Sequence, residues 1–224
     1  MRNALFVEGL IITSDNSAAI GEKPLDEVQV PDALVAKFAA RVALSEQWAA
    51  GGEVSAIVLH NFSGEQQWSR YIEGIGQLFS ELDTPLPPVS GSTESNMATL
   101  QSGLAVTMIG RRVREQKDAD KLHWFVYGEP LVGEAVLKKT DRIADLRIVK
   151  KALDNGWIEL IWPVGSRGIA HEAEQLFGKT VALSDGFLGE ASAGPATCLL
   201  IGVEESKVPE AKRHFGTQFC KLLE

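Results

Sequence analysis

Leu34, Phe38 and Val42 recur at every fourth position between Pro31 and Ala50, and Gly51-Gly52 follows them. That spacing predicts a helix laying one stripe on a sheet, stopped by the glycine pair. VSAIVLHNF then reads as a buried strand, and GEQQWSRYIEGIGQLFSEL sets Trp68, Tyr71, Ile72, Ile75, Leu78, Phe79 and Leu82 at helical spacing. Three prolines make Asp83 to Ser90 a connection, after which SGLAVTMIGRR is a strand ending in two arginines. Ahead of all this, IITSDN is an apolar strand that ends at Asp15 and Asn16 and leads into a Gly-Glu-Lys-Pro turn.

The stretch RRVREQKDADK between Arg111 and Lys121 is polar apart from Val113 and Ala119, and it divides the chain into expected domains 1-112 and 121-224. The second half restarts with the apolar LHWFVYGEPLVG. TDRIADLRIVKKALDNG predicts a helix with Thr140 as N-cap and Gly156 as its stop. The strand WIELIWPVG, a short helix GIAHEAEQLFG, the segment TVALSD and the strand ATCLLIGV follow. A closing helix puts Phe215, Phe219 and Leu222 on one face. Strands alternating with helices indicate an α/β or α+β fold, and no fixed-period repeat interrupts it.

Composition narrows the function classes. The 45% apolar content of 224 residues suffices for a buried core. A formal charge of -8 argues against a nucleic-acid partner, because such binding depends on clustered Lys and Arg releasing counterions. Cys198 and Cys220 lack CxxC spacing, and His60, His123, His171 and His214 are scattered, so no zinc or disulfide framework is visible. Cys198, inside ATCLLIGV, reads as a buried inert thiol, and the tryptophans read as core residues. The N-terminal apolar patch is too short and interrupted for a signal peptide or a membrane span, so a cytoplasmic protein without membrane association is expected.

Candidate chemistry collects at the predicted loop ends. Asp15 and Asn16 with Lys23 suit a magnesium and phosphate site, since a hard cation takes oxygen ligands and an ammonium neutralises phosphate. The same residues could equally form an Asx turn with a solvated lysine. Ser45-Glu46 near a helix end and Gly91-Ser92-Thr93-Glu94-Ser95-Asn96 before a strand repeat the polar pattern, though the second could be a plain turn. Gly165-Ser166-Arg167-Gly168 opens a helix, where free N-H groups and Arg167 would receive an anion, or it is equally a glycine-rich helix start with a surface arginine. His171, in the first turn of that helix, reads as a packing residue rather than a general base.

Taken together, DNSAAIGEKPLDEVQVPDALVAKFAARVALSEQWAAGGEVSAIVLHN, PLPPVSGSTESNMATLQSGLAVTMIG, VYGEPLVGEAVL and SAGPATCLLIGVEESKVPEA resemble the superfamily of aminoimidazole ribonucleotide synthetase, selenophosphate synthetase and thiamine-monophosphate kinase. SDNS, GEKPLD, GSTESN and PVGSRGI look most like its α-ribazole kinase (α-ribazole-phosphate synthase) branch in cobamide salvage. The resemblance implies a two-domain fold, an N-terminal sheet-forming domain plus a shortened C-terminal α/β domain. It also implies ATP with Mg2+, and a homodimer formed through the first-domain sheets with nucleotide near the interface. The superfamily's Asn-Asp pair is matched here by Ser45-Glu46 and its Gly-Gly-Asp-Thr loop by Gly91-Ser92-Thr93-Glu94. The carry-over makes Asp15, Glu46 and Glu94 the metal candidates and Lys23 and Arg167 the charge-offsetting residues. Asn16, Gly21, Lys23, Gly91, Ser92, Thr93, Gly165 and Ser166 become the nucleotide contacts. The expected activity is phosphoryl transfer from ATP to a small nucleoside-like substrate, against a ligase or cyclase of the same superfamily or a nucleotide-binding protein without chemistry.

Overall fold

A computed structural model describes residues 3–184 and 186–223. The chain divides into two compact units, Asn3–Val113 and the part from Arg114 onward.

The first unit begins with β1 (Leu5–Val7) and β2 (Leu10–Ala18), followed by two-residue strands β3 (Ile20–Gly21) and β4 (Val28–Gln29). Helix α1 (Asp32–Ala49), β5 (Gly52–Asn61), α2 (Glu65–Glu81), β6 (Val89–Thr93) and β7 (Gly103–Arg112) complete it. The main sheet runs β1-β2-β7-β5-β6, antiparallel except for the parallel β5–β6 pair. Along β7, Leu104, Val106 and Met108 are buried while the residues between them are partly exposed. That period of two marks one face against helices and one face left open.

Helix α1 covers the buried face. Thr13 donates through Oγ1 to the Ala43 carbonyl at 2.8 Å, and Gln47 donates through Nε2 to the carbonyls of Ile11 (2.8 Å) and Met108 (2.9 Å). The buried stripe of α1 is Val35, Ala36, Ala39, Ala40, Ala43 and Leu44; the expected stripe Leu34, Phe38, Val42 is only half buried. Small side chains let backbones approach, and α2 comes close enough to α1 that a Cβ on Gly74 would lie 1.8 Å from the Ala33 carbonyl oxygen.

The second unit contains β8 (His123–Tyr127), α3 (Glu134–Lys138), α4 (Leu146–Asp154), β9 (Leu160–Pro163), α5 (Gly168–Phe177), β10 (Leu199–Val203), α6 (Val208–Phe215) and β11 (Phe219–Lys221). Its sheet, β11-β8-β10-β9, is wholly antiparallel. Trp124, Val126, Ile169, Cys198 and Leu200 form one buried cluster, which agrees with an inert Cys198. On the other face Phe219 stacks on Phe125 at 4.3 Å and on Phe215 at 4.6 Å.

Two element expectations change. Helix α4 starts at Leu146, capped by the Asp145 carboxylate accepting the Arg147 N-H at 2.8 Å, while Thr140 sits in a separate 3-10 turn. Gly156, at φ +64°, does end that helix. The closing helix stops at Phe215, so Phe219 joins its aromatic neighbours from a strand. The segment TVALSD carries the single bridge Leu183–Leu223, and its last residue lies outside the described residues.

Candidate functional site

Four strands of the first sheet meet their loops at one edge. Register pairs Ala18 with Gly103, Asn61 with Leu104 and Asn61 with Thr93, so connections 19–31, 62–64 and 94–102 leave the same end.

The first of these loops is held by buried carboxylates. Asp26 is 8% exposed; its Oδ2 accepts the Lys23 N-H at 2.9 Å and the Ser102 hydroxyl at 2.7 Å, and its Oδ1 accepts the Ser102 N-H at 2.7 Å. Lys23 then donates through Nζ to the Thr99 carbonyl (2.7 Å) and Oγ1 (2.5 Å), while Thr99 Oγ1 donates to the Phe62 carbonyl at 2.8 Å. All three loops are thereby tied around one ammonium. An ammonium has three donors, so the two bonds to Thr99 leave capacity for an anion.

Asp32 opens α1 and is fully buried. It accepts the Glu22 N-H at 3.2 Å while Glu22 Oε1 accepts the Asp32 N-H at 3.1 Å, and Arg70 Nη1 reaches Glu22 Oε2 (2.5 Å) and Asp32 Oδ2 (3.1 Å). Burial raises the Asp32 carboxyl above the ordinary carboxylate range despite the Arg70 hydrogen bond that opposes it. Beneath, Tyr71 shares a 2.7 Å hydrogen bond with Ser63, and burial pushes its phenol up to about 12.

The sequence-derived site residues divide between faces and units. Asp15 and Asn16 lie inside β2, three residues short of its end and two short respectively, so the expected strand end is corrected to Ala18. Asp15 shares the helix-covered face and the row Asp15–Val106–Leu59–Gly91, whereas Asn16 points to the open face. Gly21 is buried, and a Cβ there would come within 2.5 Å of Ser102 Oγ and 2.8 Å of Asp32 Oδ1. Its bareness serves packing.

Gly91, Ser92 and Thr93 belong to β6 rather than to a loop. A Cβ on Gly91 would lie 1.8 Å from the Leu59 carbonyl oxygen, and Thr93 Oγ1 accepts from Asn61 Nδ2 at 3.2 Å. Glu94 follows; its Oε1 accepts the N-H groups of Asn96 (2.7 Å) and Met97 (3.0 Å).

Glu46 is 2% exposed, accepts from Asn3 Nδ2 at 3.3 Å, and sits about four turns beyond Asp32, roughly 21 Å along α1. It is therefore at the far end of the sheet from Glu94. Among the described residues no three His, Cys, Asp or Glu side chains are grouped as a metal site. The expected convergence of Asp15, Glu46 and Glu94 does not occur within one chain, because the strand pleat and the length of α1 separate them. Glu94 alone still fits a magnesium ion that takes one carboxylate and fills its shell with phosphate oxygens and water.

In the second unit, Ser166 and Arg167 are exposed before α5. The anion expectation for Gly165–Gly168 meets a physical obstacle: the Gly165 N-H points at the buried Glu172 carboxylate at 3.3 Å, and the Ala170 N-H is taken by the Gly189 carbonyl at 2.8 Å. Glu172, 3% exposed, also accepts from Trp162 Nε1 at 2.9 Å.

Sequence reasoning passed over Arg70, Asp26 and Thr99. Only their partners, distant in sequence, distinguish them from ordinary polar residues of a helix and two loops.

No protein-family model matches the chain, and no curated protein does. Solved structures do. The hydrogenase maturation protein HypE is similar over 94% of this chain and 78% of its own, with TM-score 0.65 and 13% identity. Thiamine monophosphate kinase from Aquifex aeolicus is similar over 98% and 86%, with TM-score 0.61 and 15% identity. T. maritima PurL in complex with AMPPCP is similar over 99% of this chain but 42% of its own, with TM-score 0.61 and 10% identity. The fold is thus the mixed α/β aminoimidazole ribonucleotide synthetase-like fold of these structures. No described helix is long and apolar enough to cross a membrane.

Proposed function

We propose that this chain transfers a phosphoryl group from ATP to a hydroxyl of a small nucleoside-like acceptor, with Mg2+ as cofactor and with α-ribazole as the acceptor class suggested by the sequence resemblance. One observation carries the reading: Lys23, held by Thr99, stands at the same sheet end as Glu94 and the Ser92 hydroxyl. Structures of similar fold include HypE with ATP and the Aquifex aeolicus kinase with AMPPCP and TMP, which supports ATP as the donor.

The acceptor oxygen forms its bond to phosphorus as the bridge to ADP breaks, and the hydroxyl proton passes to solvent. Such a transfer asks the protein for position and charge rather than a covalent nucleophile. Mg2+ supplies charge neutralisation on the phosphates when bound. Lys23 offers its remaining donor to a phosphate oxygen, and Glu94 is the carboxylate for the ion. Asp15 and Arg167 stay as secondary candidates from the resemblance, as does a homodimer through the first sheet.

Lys23→Ala and Glu94→Gln should each lower single-turnover phosphorylation of the acceptor about a hundredfold, the loss typical of one placed electrostatic group. Phosphorus NMR of the products checks the reaction class: a ligase would release free phosphate, and activity within threefold of wild type in both variants would reject the site. A second reading, nucleotide binding without turnover, draws on Glu22, Asp26 and Asp32 already being engaged internally. It predicts calorimetric Mg·ATP binding with no product.

A further inference from the structure

The second unit holds a cavity that the phosphoryl-transfer reading does not use. Its volume is about 360 Å3, and it lies where the 3-10 turn Ala119–Lys121, the start of β8, the end of α5 and the segment after α5 converge on Leu223. Backbone bonds fix these walls. The Leu222 N-H donates to the Trp124 carbonyl and the Ser184 N-H to the Leu222 carbonyl, each at 2.9 Å, and Leu183 bridges Leu223. Gly178, at φ +66°, ends α5 and turns the chain so that Lys179, Val181 and Ala182 return to line the cavity.

Most of the lining is apolar. Trp124 is 3% exposed, and its indole N-H is already donated to the Ala119 carbonyl at 2.9 Å. Phe177 stands nearly perpendicular to it, at 88° with ring centres 6.0 Å apart, so the two present a face and an edge to a third ring. Leu122, Val181 and Leu223 add aliphatic surface. Specificity therefore falls to the two charged residues of the lining, Asp120 and Lys179. Both are exposed, and neither has an ion-pair partner among the described residues, whereas Asp118 holds Lys121 at 3.6 Å and Glu204 holds Lys117 at 3.3 Å. Nor do they pair with each other, so one carboxylate and one ammonium stand separate on the same lining.

Ligand pockets span about 300–1,000 Å3, and this one is at the small end. It suits a single ring rather than a nucleotide, and Asp120 would repel phosphate. An aromatic acid would leave the Asp120 carboxylate facing the bound ligand without a counter-charge, and an aromatic amine would do the same to Lys179. A molecule that carries both head groups beside one ring meets every feature of the lining. We propose that this cavity binds a free aromatic α-amino acid, with its ring against Trp124 and Phe177, its carboxylate on Lys179 and its ammonium on Asp120. The proposal stands apart from the phosphoryl-transfer reading, because no residue proposed for that reaction lines the cavity.

The test is calorimetric titration of L-phenylalanine into the full chain, which should show saturable binding at one site. Lys179→Met and Asp120→Asn should each weaken it about tenfold, as expected when one charge-assisted hydrogen bond is lost. Both side chains are exposed, so both variants should keep the wild-type urea midpoint. Two half-ligands separate the head groups: 3-phenylpropionate should lose affinity in Lys179→Met alone, and phenethylamine in Asp120→Asn alone. No saturable binding of L-phenylalanine, or affinities within twofold of wild type in both variants, would overturn the proposal. So would p-cresol binding as tightly as L-phenylalanine, since the cavity would then take a ring without reading its charges.

Discussion

Gly74→Ala is expected to destabilise the protein by about 3 kcal/mol, the upper part of the range for overpacking a closely fitted interior. The added methyl would sit 1.8 Å from the Ala33 carbonyl oxygen, 2.7 Å from its carbon and 2.9 Å from its Cα. All three are backbone atoms of a helix, so no side-chain rotation relieves the clash. Helices α1 and α2 would have to separate, opening the alanine stripe that fits α1 to its neighbours. The control lies two residues away. A Cβ on Gly76 meets nothing nearer than Leu86 Cδ2 at 3.9 Å, and alanine is favoured over glycine inside a helix by about 1 kcal/mol. Urea denaturation should thus lower the midpoint for Gly74→Ala and raise or preserve it for Gly76→Ala. Equal midpoints for the two would show that the helices do not touch at Gly74.

Arg70→Ala should cost about 2 kcal/mol at neutral pH, less than the loss for a wholly interior pair because Arg70 is 42% exposed. The substitution leaves the buried Asp32 carboxylate without its cation, facing only the Glu22 N-H. Asp32 binds its proton more tightly folded than unfolded, so its contribution to stability is present in acid. That contribution is lost as pH rises from the ordinary carboxylate range through the raised native value. Without Arg70 the native value rises further. The gap between wild type and Arg70→Ala should then be widest at neutral pH and narrow as the solution is acidified toward the point where Asp32 is protonated. Asp32→Asn should remove this dependence and be milder than Arg70→Ala at neutral pH, since an amide is buried more cheaply than an unpaired charge. Denaturant midpoints for the three proteins across that pH range are the measurement. A pH-independent gap would mean that Asp32 is not the titrating group.

Much of the architecture was legible because it rests on short-range periodicity. The alternation in SGLAVTMIGRR, the helical spacing in GEQQWSRYIEGIGQLFSEL and the glycine stop at Gly156 each express a local preference that the tertiary fold keeps. Failures came where distance decides. The buried stripe of α1 is made of alanines, and a search for large apolar residues selects the half-exposed Leu34, Phe38 and Val42 instead. Strand β6 was hidden because Gly91, Ser92 and Thr93 have loop-like composition; pairing with β5 overrides it. Glu46 and Glu94 each stand in a motif resembling a metal ligand, yet no sequence spacing reveals that a helix holds them at opposite ends of a sheet.

Gln47 gives α1 a property that none of its apolar contacts could. Its single amide nitrogen bridges carbonyls on two different strands, β2 and β7, while the first turn of the same helix is locked through Asp32 to Glu22 and Arg70. The helix is pinned at both extremities in angle as well as position. Adding or deleting one residue between them would rotate one anchor by about 100° relative to the other. Homologous chains should therefore tolerate point changes on the exposed side of α1 while keeping the number of residues from Asp32 to Gln47 constant, which makes that interval a ruler for recognising relatives too diverged to align by identity.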